Sequence, residues 1–251
     1  ASAARYVGTT ISEIWCDLRG YDIPAVTIVE IMGRKVGWLA AASALSGIHG
    51  EAPNLIYLPE VDFSDEQFLE DVKRELEKNP AVMVVVSEGI HYADGTFVSE
   101  GHQQTAKVDD FGHQRLAGTA QALTGMVEDE LGCKVRSIRL SLMQRSAGHL
   151  ASTIDLEESR MLGATSMDRA LDGVSGQVSV INRESNTPYR VKYSTFPVEK
   201  VANLERVVPR EWINDEGNYV TEEMLDYLKP LITDETVGRT KDGLPTHVHL
   251  F

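Results

Sequence analysis

The spacing of apolar positions along the chain changes several times, and each change marks a structural element. Tyr6, Val7, Thr10, Ile11, Ile14, Trp15 and Leu18 recur at helical spacing. They predict a helix over about residues 3–19, which Gly20 ends. AVTIVEI (25–31) is apolar and β-branched throughout, apart from Glu30, as expected of a strand covered on both faces. The small residues of 35–46 predict a helix that stops at Gly47, and NLIYLPE (54–60) predicts a second strand. Ser64 stands three positions before Gln67, a capping box. The helix it opens buries Phe68, Leu69, Val72 and Leu76, and Pro80 prevents its continuation. AVMVVVS (81–87) is a third apolar strand, and Asp94-Gly95 marks a hairpin turn. A helix over about 112–131 ends at Gly132. KVRSIRLSLM (134–143) is a fourth strand, whose imperfect alternation suits a sheet edge.

Strand and helix therefore alternate with short links, the pattern of an α/β fold with a parallel sheet and crossover helices. Beyond residue 150 the pattern changes. A helix near 153–171 leads to QVSVIN and PYRVKY, two strands around a turn holding Asn186, Thr187 and Pro188. A loop-rich tail with one short helix capped by Thr221 follows. The chain divides on this pattern into residues 1–150, 151–200 and 201–251, the later part forming a partial second lobe.

Composition narrows the function classes. The net charge of −14 repels nucleic acid and anionic membrane surfaces, so neither is expected as a partner. An anionic ligand needs cations gathered locally, which makes clustered arginines informative. No run approaches the ~20 apolar residues of a membrane span. No basic region followed by an apolar one opens the chain, so a signal peptide is not expected. Cys16 and Cys133 stand far apart and outside any metal-ligand spacing. They read as buried thiols of a reducing compartment, and the expected location is cytoplasmic.

Ligands of open α/β sheets collect beyond the carboxyl ends of the strands. Those ends hold Met32-Gly33-Arg34, Pro59-Glu60, Ser87-Glu88-Gly89 and Gln144-Arg145-Ser146. The planar donor fork of arginine suits phosphate oxygens. Gly33 allows close backbone approach, and a helix starting near Lys35 would add free N–H groups. An ionised Glu88 only accepts hydrogen bonds. Together these suit a polyol phosphate, its hydroxyls on the carboxylate and its phosphoryl group on the cations. The same residues also allow a plainer arrangement, with Arg34 and Arg145 in salt bridges to Glu30, Glu60 or Glu88.

Other residues carry weaker signals. His149 follows Arg145 closely enough to line the same site. His247 and His249 form a His-x-His pair with no third ligand nearby, and His91, His102 and His113 lie in an irregular stretch. Trp38 and Trp212 read as packing residues, and Thr153-Ile154-Asp155 as a helix cap.

At these residues the sequence resembles the phosphofructokinase family. VEIMGRKVGWLAAASAL is similar to that family's strand–Met-Gly-Arg–helix element, and LPEVDFSDEQFLEDV to the strand and helix after it. VVVSEG resembles the strand ending in the substrate-binding glutamate, and SLMQRSAGHLAS the Gln-Arg segment. The tail, with PVEKVANLERVVPREWI and TKDGLP, resembles the diphosphate-dependent branch, and the likeness covers essentially the whole chain.

The resemblance implies a diphosphate-dependent, glycolytic phosphotransferase acting on fructose 6-phosphate. It implies magnesium at the donor, ATP as the less favoured donor, and a homo-oligomer. Residues 1–150 would be the sugar-phosphate lobe, 151–200 a crossing to the donor-side lobe, and 201–251 a tail. By position it assigns Met32, Gly33 and Arg34 to the sugar phosphate and to transition-state charge. It assigns Glu88 to the sugar hydroxyls, and Leu142, Met143, Gln144 and Arg145 to the 6-phosphate.

The chain departs from the family pattern in three respects. Leu142 stands where members usually carry tyrosine or histidine. Ala25 stands where ATP-dependent members carry an arginine, which favours the diphosphate branch. The family's Gly-Gly-Asp donor loop and Thr-Ile-Asp-Asn-Asp stretch, whose aspartate is the general base, do not occur in these 251 residues. The expectation is a carboxyl-terminal portion that is catalytically inert alone, with magnesium held mainly by the absent lobe. A non-catalytic sugar-phosphate-binding module is the alternative.

Overall fold

The computed structural model describes residues 1–20, 22–101, 118–234 and 240–246. The expected histidine positions 102, 113, 247 and 249 lie outside them. At its centre is a parallel four-stranded sheet of β1 (Ala25–Ile31), β2 (Leu55–Tyr57), β3 (Ala81–Ser87) and β4 (Lys134–Arg139), in the order β2-β3-β1-β4. Every residue of β1 and β3 is buried. Their side chains alternate between two cores. Val29, Ile31, Ala81, Met83 and Val85 enter one, and Val26, Ile28, Val82, Val84 and Val86 the other. This two-sided burial is why those stretches read as continuous apolar runs rather than alternating ones.

Helices cover both faces. On one lie α1 (Ser2–Leu18) and α2 (Trp38–Ala41), the latter continuing as a 3-10 helix, Ala42–His49. On the other lie α3 (Asp65–Lys78) and, after the short α4 (Val98–Gly101), α5 (Thr119–Leu131). Ser64 Oγ accepts from Gln67 N at 3.4 Å, as the capping box predicts. Gly132 ends α5 in the left-handed region, φ 62°. The Asp94-Gly95 turn closes between Tyr92 and Thr96, whose backbones pair. β4 lies at the sheet edge, as its weak alternation suggests, but it stops at Arg139 instead of running to Met143.

The tail joins the first core. Val208, Ile213, Val220, Met224 and Leu228 are buried there, the last two on α7 (Glu222–Leu228). The backbone N–H of Ile56 donates to Asn218 O at 2.8 Å, so the tail covers the exposed edge of β2. Beneath that contact the fully buried Asp71 accepts from Tyr57 Oη and Asn218 Nδ2 (both 2.8 Å) and pairs with Arg74 at 2.9 Å.

Residues 153–197 form an arm of different character. It consists of α6 (Thr153–Leu171) and the antiparallel hairpin β5 (Gln177–Asn186) and β6 (Tyr189–Pro197). The cap of α6 is Ser152, whose Oγ accepts from Asp155 N at 3.3 Å. The Asp155 carboxylate accepts from Ser2 N at 2.8 Å, tying the helix start to α1. The Arg183 guanidinium sits over the rings of Tyr189 (4.8 Å) and Tyr227 (4.3 Å), which joins the hairpin to α7.

One expectation about the cysteines fails. Both are free, but Cys16 is exposed because it falls on the outer face of α1, and Cys133 is only partly buried. No helix among the described residues is long and apolar enough to cross a membrane.

Candidate functional site

Parallel pairing in register brings the strand ends level. Ile31 lies opposite Ser87, and Glu30 opposite Arg139. From this edge β1 continues as Met32-Gly33-Arg34 and β3 as Glu88-Gly89, and the two loops bind each other closely. Gly33 O accepts from Ser87 Oγ at 2.5 Å and from Gly89 N at 3.1 Å. Gly33 N donates to Glu88 Oε1 at 3.2 Å. A Cβ on Gly89 would fall 1.8 Å from Arg34 O, and one on Gly33 would fall 2.6 Å from Val36 O. Glycine is required at both positions by backbone contact alone.

Glu88 is half-buried, and burial pushes its carboxyl above the ordinary glutamate range. The charge of Glu30 adds to this rise, while Gly33 N–H, Arg34 and Arg139 oppose it. Glu88 thus stands in the combined field of Arg34 from the β1 loop and Arg139 from the end of β4. Glu30, the one charged residue of β1, is 3% exposed. It accepts from Ala120 N at 3.0 Å and pairs with Arg139 Nε at 3.1 Å. Thr119 Oγ1 donates to Glu88 O at 3.0 Å. The start of α5 is therefore fastened to β1 and to the loop after β3, with β4 joined to it through Glu30, and its Ala120 amide is met by the protein's own carboxylate.

Arg139 was not among the residues singled out in the sequence. The signal for it was Glu30, a charge inside an apolar strand that needs a partner. Without the register of β1 against β4, that partner had no address.

The helix expected to start near Lys35 starts at Trp38. The amide of its N-cap residue, Gly37, is occupied, donating to Glu60 Oε1 at 2.9 Å and Oε2 at 3.1 Å. Of the N–H groups anticipated after Lys35, that of Gly37 is taken by this glutamate. Lys35 turns to solvent and pairs with Glu205 at 2.8 Å.

The second arginine segment is a 3-10 turn, Ser141–Arg145, beyond β4 and packed against α1. Ser141 takes φ 45°, which bends the chain away from the strand direction. Gln144 points inward and is buried, its Nε2 donating to Ser141 O at 2.9 Å to close the turn. Leu142 and Met143 are more than half exposed. Arg145 is exposed, with no ion pair among the described residues. His149 is exposed and lines a hollow with Tyr6, Met143, Ser146 and Pro245.

Gly33, Arg34 and Glu88 are thus brought together with Met32 beside them, while Leu142, Met143, Gln144, Arg145 and His149 stand as a second group past the sheet edge. The salt bridges of the plainer arrangement do not form at Arg145. Glu30 takes Arg139, Glu60 takes backbone amides, and Glu88 takes Gly33 N. Among the described residues no three of His, Cys, Asp and Glu gather into a group that could hold a metal ion.

Comparison with known proteins agrees with this architecture. The phosphofructokinase family profile matches residues 1–169. The chain is 36% identical over 247 residues to the pyrophosphate–fructose 6-phosphate 1-phosphotransferase of Halomonas elongata, covering 97% of this chain and 58% of that one. It is 39% identical over 253 residues to the enzyme of that name from Xanthomonas campestris pv. campestris, covering 99% and 60%. The pyrophosphate-dependent phosphofructokinase of Marinobacter aquaeolei superposes with a TM-score of 0.83 at 33% identity, over 97% of this chain and 57% of that one. The chain therefore spans somewhat under two thirds of the length of these relatives. A fold shared at this level, together with a family match over two thirds of the sequence, means that the chain belongs to the phosphofructokinase family, in its diphosphate-dependent branch.

Proposed function

We propose that this chain supplies the sugar-phosphate half of a site that transfers a phosphoryl group from diphosphate to the 1-hydroxyl of fructose 6-phosphate. The observation that supports it is the interlocked pair of loops at the sheet's carboxyl edge, which holds Arg34 and Glu88 side by side. Phosphoryl transfer asks little covalent chemistry of a protein and rests on positioning and charge stabilisation. In this reading Arg34 meets the charge on the migrating group, and Glu88 accepts hydrogen bonds from sugar hydroxyls. Arg145, free to reach a ligand, takes the 6-phosphate. Gln144 holds the turn that presents Arg145, with Met32, Leu142, Met143 and His149 lining the sugar. Glu88 faces two cations and so serves as an acceptor, leaving the general base to residues outside this set. The 251 residues alone are accordingly expected to give no turnover.

Calorimetric titration with fructose 6-phosphate tests the reading. The wild-type chain is expected to bind, and Arg145→Ala to bind about tenfold or more weakly, the loss of one charge-assisted contact. Equal heats from the two proteins would overturn it. The pH dependence follows from Glu88. A raised carboxyl protonates earlier as pH falls and then loses its acceptor role, so binding should weaken at a higher pH than an ordinary glutamate would give. Glu88→Gln should abolish that pH dependence.

A further inference from the structure

The Arg34 loop is fastened on both sides, and only the strand side follows from the sheet. On that side Ser87, Glu88 and Gly89 fix Gly33. On the other side residues 205–208 lie across the loop like a strap, held by independent contacts. Lys35 pairs with Glu205 at 2.8 Å. Trp38 Nε1 donates to Arg206 O at 2.6 Å, and the Arg206 guanidinium stands 5.8 Å from the centre of the Trp38 ring. Beneath these, Glu60 Oε1 accepts from both Gly37 N and Val208 N, each at 2.9 Å. Gly37 itself is confined, since a Cβ there would fall 2.7 Å from Glu60 Oε2 and 2.8 Å from Leu58 Cδ2.

From this we infer that Glu60 is a positioning residue. By bridging Gly37 and Val208 it clamps the far end of the loop under the 205–208 strap, and so fixes where Arg34 stands relative to Glu88. The exposed Lys35–Glu205 pair contributes little by itself, because solvent screens it. The half-buried carboxylate is the effective part, for it meets two backbone donors that would otherwise lack partners. Trp38 completes the clamp from below, packed at 5.5 Å against Tyr227 and 6.1 Å from Trp212. Arg34 is thus carried on a short span fixed at Gly33 and at Gly37, and its position depends on both ends.

The inference rests on the reading of this loop as a sugar-phosphate site, so the test includes a ligand-free measurement. Hydrogen exchange is followed in three segments, 33–38, 205–208 and, as an internal control, 81–87 of β3. Glu60→Ala should speed exchange about tenfold or more in the first two while leaving β3 unchanged. It should weaken fructose 6-phosphate binding by roughly 10- to 100-fold, the usual consequence of a slightly misplaced binding group. Glu60→Gln retains one oxygen able to accept from both amides, and should restore most of the binding and protection. Unchanged exchange in 33–38, or equal acceleration in β3, would overturn the inference. So would a loosened loop that binds as well as wild type. If the loop loosens in Glu60→Ala but the wild-type chain binds no fructose 6-phosphate, the clamp stands and the substrate reading falls.

Discussion

The sheet and the arm of residues 153–197 are built on opposite terms. In β1 and β3 every position is buried, and both faces of each strand are covered by helices. In α6 none of the 19 residues is buried, and apolar side chains such as Leu156, Met167 and Leu171 are largely exposed. The arm is held to the body by a few polar and aromatic contacts, chiefly Arg183 over Tyr227 and Asp155 on Ser2. Rigidity in this protein is therefore concentrated where the strand ends must be level to a fraction of an ångström. Close packing fixes those ends because a fully buried strand cannot shift without opening voids. The arm has no such constraint within this chain.

Substitutions can break or sharpen that contrast. The largest effect is expected at Phe68, fully buried on α3 and in contact with the rings of Tyr57 and Phe63. Phe68→Ala should cost about 3–5 kcal/mol, read from the denaturant midpoint. An intermediate effect is expected from Gly89→Ala. The added Cβ collides with Arg34 O, and relieving it should cost about 1–3 kcal/mol. The same change moves the Arg34 loop, so the calorimetric response to fructose 6-phosphate should vanish even where the variant remains folded. The smallest effect is expected at Leu171, 79% exposed at the end of α6. Leu171→Ser should alter stability by no more than about 0.5 kcal/mol. A cost at Leu171 comparable to that at Phe68 would show that the arm is bound into the same cooperative unit as the sheet.

The sequence makes the sheet legible for the same reason that the sheet is rigid. Burial on two faces leaves short runs such as Ala81–Ser87, marked as strand by their β-branched residues and by Pro80 and Gly89 on either side, and the Ser64 cap and the Gly132 stop are local signals needing no tertiary context. The strand-end loops followed from that sheet, so Gly33, Arg34 and Glu88 could be placed together in advance. What could not be read depends on pairings between distant segments. The tail reaches the core through Val208, Ile213, Val220, Met224 and Leu228, spaced by turns and showing no period. Arg139 becomes part of the site only through the β1–β4 register. β4 ends early because Leu140 already turns into the helical region and Ser141 follows with φ 45°, neither of which the residue types signal. The 205–208 strap had no signal at all, since its hold is mostly through backbone groups.

Both helix starts that face the strand ends are already plugged by the chain's own acids, Glu30 at Ala120 and Glu60 at Gly37. At those two amides a phosphorylated ligand meets a carboxylate already in place, which leaves guanidinium groups on loops as its better partners. A receptor assembled from side chains can be retuned one substitution at a time, without disturbing the scaffold beneath it. Acceptor preference in such a protein should therefore drift readily, while its strands stay as they are.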